Sequence, residues 1–456
     1  MTPIRACLLL SSLAAAGVAQ AQTAAPKDDG SLTWNGITLY GIVDVGLQYI
    51  NHGQPISDYF PAGSYPAVSK NNHASVTGVT PSNLSQSRIG LSGFEPIPAL
   101  ADVAFVFRME TFFNPQSGNL SDGLKSLTLN NGKGAAQQAT GVDTSIAGQA
   151  FAGALYAGLS SPTYGTLTFG RHTTLVADGI SKYDPMGAAQ AFSIIGLSGF
   201  AAGGGNTENR RLDQSVKYTA KFGPVHVGAL YKFNGANGGA NTGVQGQIGA
   251  DFLGGGSVDA YYFKMKDAIG VSSLSAAQVD TLPAGYSVSN SLSGTISDTT
   301  SYDLMASYNF GAVKVFGGYE RVKFDNPSTP LPVGFVTIGG YVLAYVNNTA
   351  YNNEKVEKVF WGGARWTPIK QLELTAAYYG YHQDAYASGA NAGCSTNVSA
   401  QCSGSLNAIS LLADYRFTKR FDAYLGGMWS QVKDGLANGY LYTNVTAVTT
   451  GLRFKF

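Results

Sequence analysis

With 456 residues, 12% of them charged, 58 glycines and 26 tyrosines, the chain departs from soluble domains, where about a quarter of positions are charged. Lys and Arg number 29 against 28 Asp and Glu, so no charge excess points to nucleic acid or to an acidic partner. Mean hydropathy is near zero without a helical span of lipid-crossing length beyond the first residues, which is what alternating polar and apolar strand positions produce.

Arg5 gives a short positive region, residues 6–16 are largely apolar, and Ala19-Gln20-Ala21 is a small-x-small site. Residues 1–21 are therefore expected to be a removed secretory signal peptide, with 22–456 as the mature chain. Its removal takes Cys7 and Arg5 away, so 28 basic residues remain against 28 acidic ones.

The first period-two run, 37–49, sets Ile37, Leu39, Gly41, Val43, Val45, Leu47 and Tyr49 against Thr38, Tyr40, Asp44 and Gln48. Similar runs follow at 86–94, 100–113, 149–160, 163–171, 210–220, 222–234, 245–253, 257–266, 301–310, 312–324, 355–367, 371–383, 404–417, 421–433 and 443–456. That is about sixteen segments of barrel-strand length. Connections alternate: short ones such as 95–99, 161–162, 311 and 418–420, and long ones such as 50–85, 114–148, 172–209, 267–300 and 325–354. Outer-membrane barrels have short turns at one end and long loops at the other, whereas a soluble sandwich gives no reason for such alternation.

Residues 188–205 are rich in Ala and Gly and include Phe192, Ile194, Ile195, Leu197 and Phe200. Gln190, Ser193, Gly196, Ser198 and Gly199 interrupt the run, so it is too weak for a spanning helix. Cys394 and Cys402 lie close together in a Ser/Gly/Asn-rich segment, and in an oxidising compartment they are expected to close a small disulfide loop. In the last segment Phe456, Phe454, Leu452, Thr450, Val448 and Thr446 form one face, and Lys455, Arg453, Gly451 and Thr449 the other. Lipid outside and a wet lumen inside would satisfy both faces. Tyr218, Tyr231, Tyr261, Tyr319, Tyr378 and Phe421, near strand ends, suit the interfacial girdles.

Catalytic signatures are weak. His52, His73, His172, His226 and His382 are scattered without an H-E-x-x-H pair, and there is no G-x-S-x-G elbow or phosphate loop. No metal and no cofactor are expected.

Taken in order, 38–44 (TLYGIVD), 87–93 (SRIGLSG), 165–171 (GTLTFGR), 214–218 (QSVKY) and the terminal 451–453 (GLR) with Phe456 resemble the Gram-negative general porins of the Burkholderia, Bordetella and Comamonas type. The likeness runs from first strand to last. It implies a closed all-β antiparallel transmembrane barrel of sixteen strands, usually a homotrimer in outer-membrane lipid, with the third loop folded into the lumen. It also implies passive diffusion of small hydrophilic solutes and ions, and a terminal Phe456 recognised by the barrel-assembly machinery. Residues 172–209 would be the constriction loop. Arg88 and Arg211 match the resemblance's second- and sixth-strand arginines, and strand parity turns both inward. The chain departs from the pattern at three places: Gly153 replaces a fourth-strand arginine, Arg108 replaces a glutamine, and Phe454 replaces a histidine. Arg88, Arg108 and Arg211 are thus the candidate positive wall, with Asp178, Asp184 and Glu208 the candidate acidic side. Plainer roles stand beside these: an Arg108–Glu110 ion pair, a turn started by Asp184 before Pro185, and Glu208 at the loop's exit. The expected selectivity is weak and leans to anions. A substrate-specific channel, or a barrel anchoring an adhesin or enzyme, are the alternatives.

Overall fold

The computed structural model describes residues 32–60, 63–141, 145–196, 210–235, 241–252 and 254–456. The expected signal peptide and Glu208 lie outside the described residues. The barrel strands are β1 (Ile37–Gly53), β2 (Ala74–Pro81 and Arg88–Pro96), β3 (Ala104–Phe112), β4 (Leu155–Ser161), β5 (Gly165–Thr173), β6 (Arg211–Phe222), β7 (Val225–Lys232) and β8 (Gly243–Phe252). They continue as β9 (Gly256–Ser272), β10 (Ser291–Asn309), β11 (Val313–Asp325), β12 (Lys355–Ile369), β13 (Leu372–Gln383), β14 (Gly404–Arg416), β15 (Phe421–Asp434) and β16 (Asn444–Lys455). Each pairs antiparallel with its sequence neighbours, and β16 pairs with β1, so the sheet closes and no edge remains.

Alternation explains the closure physically. Leu47 is 54% exposed and Leu452 51%, while Asp44, Gln48, Thr449 and Arg453 on the opposite parity are buried. The apolar face meets lipid and the polar face meets the lumen. At the seam Lys455 stands opposite Ile42, and the Phe456 and Gly41 amides exchange hydrogen bonds of 2.9 and 3.1 Å with each other's carbonyls. Beyond Phe456 the same edge of β1 is taken up by the short strand Leu32–Trp34, with Trp34 opposite Ile37.

Boundaries moved where the period breaks. Asp267 adopts φ 54°, and the β9–β10 register slips between Met265 and Ala268. This bulge disguises a pair of strands that runs 17 and 19 residues instead of ending near 266 and beginning near 301. Much of the expected long loop is therefore a hairpin standing above the barrel. The strand Val342–Asn347 joins it in parallel, although alternation did not mark it. Tyr261 is also corrected: it is buried in the lumen, while Tyr262 faces outward.

Among the described residues three short α-helices lie in the long loops: α1 (Gly123–Thr128), α2 (Leu175–Tyr183) and α3 (Ala276–Asp280). The third long loop enters the barrel. Thr174 caps α2 by accepting from the Ala177 amide, 3.1 Å. Leu175, Val176, Ile180, Tyr183, Phe192 and Ile195 then pack in one cluster with inward residues of the far wall, among them Tyr261, Phe263, Met305, Trp361 and Tyr379. The described part of the apolar run that was too weak for a spanning helix, 188–196, thus buries itself against the inner wall.

Candidate pore and its charged wall

Five neighbouring strands bring the candidate cations together. In register, Arg88 is opposite Phe112, Ser92 opposite Arg108, and Arg108 opposite Tyr156. Arg211 opens β6 opposite Thr173. The even-numbered positions of β2 and β3 point inward, so Arg88, Arg108 and Glu110 meet above the barrel floor.

Glu110 is the hinge of this group. Its Oε2 accepts from Arg108 Nη2 at 2.8 Å and from the Tyr40 hydroxyl at 3.2 Å, and lies 3.5 Å from Arg88 Nε. The Arg108 guanidinium sits 4.8 Å from the Tyr40 ring centre, a favourable cation–π placement. The glycine at 153 makes room: a Cβ there would stand 2.5 Å from Glu110 Oε1 and 2.9 Å from Phe112 Cζ. Any side chain at this position has to displace Glu110. Arg211 lies 4.6 Å over the Phe112 ring and donates to Ser145 Oγ and Gln86 Oε1, both at 3.2 Å.

These side chains line a cavity of about 480 Å³ between strands β1–β6 and the tip of the third loop. Its cationic lining is Arg88, Arg108, Arg210, Arg211 and Lys217, and its acidic lining is Glu110. The loop contributes Ser181, Gly187, Ala188 and Gln190, all neutral. Opposed charges on facing walls, the arrangement considered from sequence, are therefore not what the described residues build. Asp178 stands beside Lys217 and neutralises it, and also accepts from Thr173 Oγ1 at 2.8 Å.

Asp184 is placed elsewhere. It is fully buried against the far wall, where it accepts from Tyr379 OH at 2.6 Å, Ala188 N at 2.7 Å and Met186 N at 3.1 Å. Burial raises its carboxyl above the ordinary value, opposed by hydrogen bonds from Tyr379, Ser193 and these two amides. It holds the turn after α2 instead of facing the cavity. Trp361 Nε1 donates to the Tyr183 carbonyl at 3.1 Å and Tyr381 OH to the Ile194 carbonyl at 3.3 Å, fastening the same segment. Cys394 and Cys402 are joined by a disulfide in the seventh long loop.

Arg210 was not singled out from sequence. Strand parity turns it away from Arg211, but β6 starts only at Arg211, so parity does not govern it. It donates to the Gly196 carbonyl at 2.6 Å and Ser181 Oγ at 3.0 Å, binding the loop's far part back to α2. No periodic signal marks such a residue.

A sequence profile describing Gram-negative porins matches residues 6–435. An outer membrane porin protein of Bordetella pertussis is 28% identical over 319 residues, covering 69% of this chain and 68% of that protein. The outer membrane porin protein 32 of Delftia acidovorans is 26% identical, covering 70% of each. Among solved structures, an anion-selective porin from Comamonas acidovorans aligns with TM-score 0.57 and 18% identity over 92% of this chain and 99% of that one. A trimer form of OmpT from Vibrio cholerae aligns with TM-score 0.55 and 14% identity over 92% of this chain and 99% of that one.

Proposed function

We infer, from the premise that this chain belongs to the Gram-negative porin family, that its cavity favours anions among the small hydrophilic solutes it passes. The chain is an outer-membrane protein, and its barrel is a channel for passive diffusion. The observation that carries the anion reading is the lining itself: Arg88, Arg108, Arg210 and Arg211 against Glu110, with Lys217 already balanced by Asp178. Fixed charge on a narrow lining sets the local concentration of mobile ions, so a cationic surplus enriches anions. Glu110 offsets part of that surplus by pairing with Arg88 and Arg108, which keeps the preference moderate. Single channels in planar bilayers under a salt gradient test this. A reversal potential on the anion side supports it, and one firmly on the cation side overturns it.

Glu110→Gln is expected to strengthen the preference several-fold, since it removes the carboxylate and leaves both guanidinium groups charged. The same salt-gradient recording, against the parent, measures it.

A homotrimer is the assembly we propose, supported by the family and by the trimer form of the Vibrio cholerae neighbour. Electrophoresis of the unheated, detergent-solubilised protein should give a band near three chain masses. We also assign Phe456 the role of assembly signal, as a terminal aromatic whose backbone closes the barrel against Gly41. Phe456→Ala should then lower the yield of folded barrel in the outer membrane, read as the heat-modifiable fraction, while protein refolded in detergent recovers the parent's conductance. Equal yield in cells would remove the assignment.

A further inference from the structure

The second long loop crosses the mouth of the barrel. It springs from β3 and returns to β4, yet its tip docks on the outer ends of β9 and β10, on the loop joining them and on the loop between β11 and β12, which lie on the other side of the sixteen-strand ring. A small apolar core forms there from Leu124 and Leu127 of α1, Ala147, Leu292, Ile296, Leu331, Tyr341 and Leu343. The stretch Val342–Asn347, laid in parallel along β10, supplies one side of it.

Polar contacts fix the crossing. Asn131 donates to the carbonyls of Val288 at 2.7 Å and Ser291 at 2.8 Å, and accepts from the Leu274 amide at 2.7 Å. The Gly132 amide donates to the Leu274 carbonyl at 3.0 Å, and Ser273 Oγ to the Leu127 carbonyl at 2.7 Å. At the near end Tyr341 OH donates to Asp122 Oδ2 at 2.9 Å, and the Asp122 amide to the Tyr59 carbonyl at 2.8 Å. A strand-to-strand span held by a buried core and by main-chain bonds is a fixed girder, not a fraying loop tip.

We infer that this arm is a second, outer filter, which sets the largest solute admitted while leaving ion preference to the arginine wall. The two functions separate in space. The arm lies at the long-loop end and carries no net charge, with Asp122 and Asp143 against Lys125 and Lys133, whereas the cations line the cavity within the barrel. An obstacle without net charge discriminates chiefly by size and leaves the field inside little altered. This rests on the channel reading, so the test includes a readout that needs no transport.

Gly132→Cys with Val279→Cys provides that readout. A Cβ built on Gly132 lies 3.7 Å from Val279 Cβ in α3, within the roughly 3.5–4.5 Å that a disulfide spans. Oxidation of the folded protein should join the two positions within one chain, seen by mass after proteolysis. Failure of the link to form overturns the docked arm whether or not the protein conducts. The same pair is then placed in an Asn131→Ala, Leu124→Ser background and incorporated into liposomes, with a sugar series from mono- to tetrasaccharide as probe. Reduction should raise entry of the largest sugars several-fold relative to the monosaccharide, and oxidation should reverse it. The salt-gradient reversal potential should stay constant throughout. The parent under the same reductant controls for opening of the Cys394–Cys402 pair. An unchanged size ratio in a conducting protein, or a shifted reversal potential, overturns the separation of the two filters.

Discussion

Replacing Arg88, Arg108 and Arg211 by glutamine together is expected to abolish the channel's anion preference. Each guanidinium faces the same cavity, and a unit charge about 8 Å from a passing ion, at an effective dielectric near 40, is worth roughly 1 kcal/mol. Salt in the pore screens part of this, so the combined change is read best at low ionic strength. What remains after the substitution decides the outcome. Lys217 is already neutralised by Asp178, and Glu110 loses both of its cationic partners, so its carboxylate is left to balance Arg210 and the lining becomes close to neutral. The reversal potential in a dilute salt gradient should fall to near zero. Retention of an anion preference would show that the wall acts by shape, not by charge.

The second large effect concerns anchoring of the third loop. Asp184→Ala removes the acceptor of three hydrogen bonds, from Tyr379, Met186 and Ala188. Bonds to a charged group contribute about 1.5–3 kcal/mol each, so the loss is on the order of 4 kcal/mol or more. It falls on the loop, because the barrel's own ladders are untouched. The expected outcome is a higher and noisier open-channel current, with excursions as the loop leaves the wall. Tyr379→Phe removes one bond and should give the milder form of the same trace. A quiet current at the parent's amplitude in both variants would show that the apolar cluster around Phe192 and Trp361 holds the loop unaided.

Legibility differed by level. Sixteen strands could be counted because lipid outside and water inside impose a two-residue period, and because hairpin ends carry turn residues. Leu47 against Gln48 and Leu452 against Arg453 show the rule directly. It failed at Asp267, where a bulge shifts the phase, and at Val342–Asn347, which pairs within a loop and meets no lipid. The inward placement of two candidate cations was readable for the same reason: Arg88 and Arg108 fall on the inward parity of regular strands. Asp184 was not, since the side on which a loop carboxylate ends depends on partners nearly two hundred positions away, here Tyr379. Arg210 escaped because it stands one residue before its strand begins.

The joint between first and last strands has a kinetic consequence. His52 and the Asn444 carbonyl, 392 positions apart, meet across it at 2.9 Å, so the longest-range contacts in the molecule are those that shut it. Contacts of such separation form slowly, and until they do, two bare rims of amide and carbonyl groups invite foreign partners. Closing that joint is therefore the step that removes the last unpaired backbone of the ring.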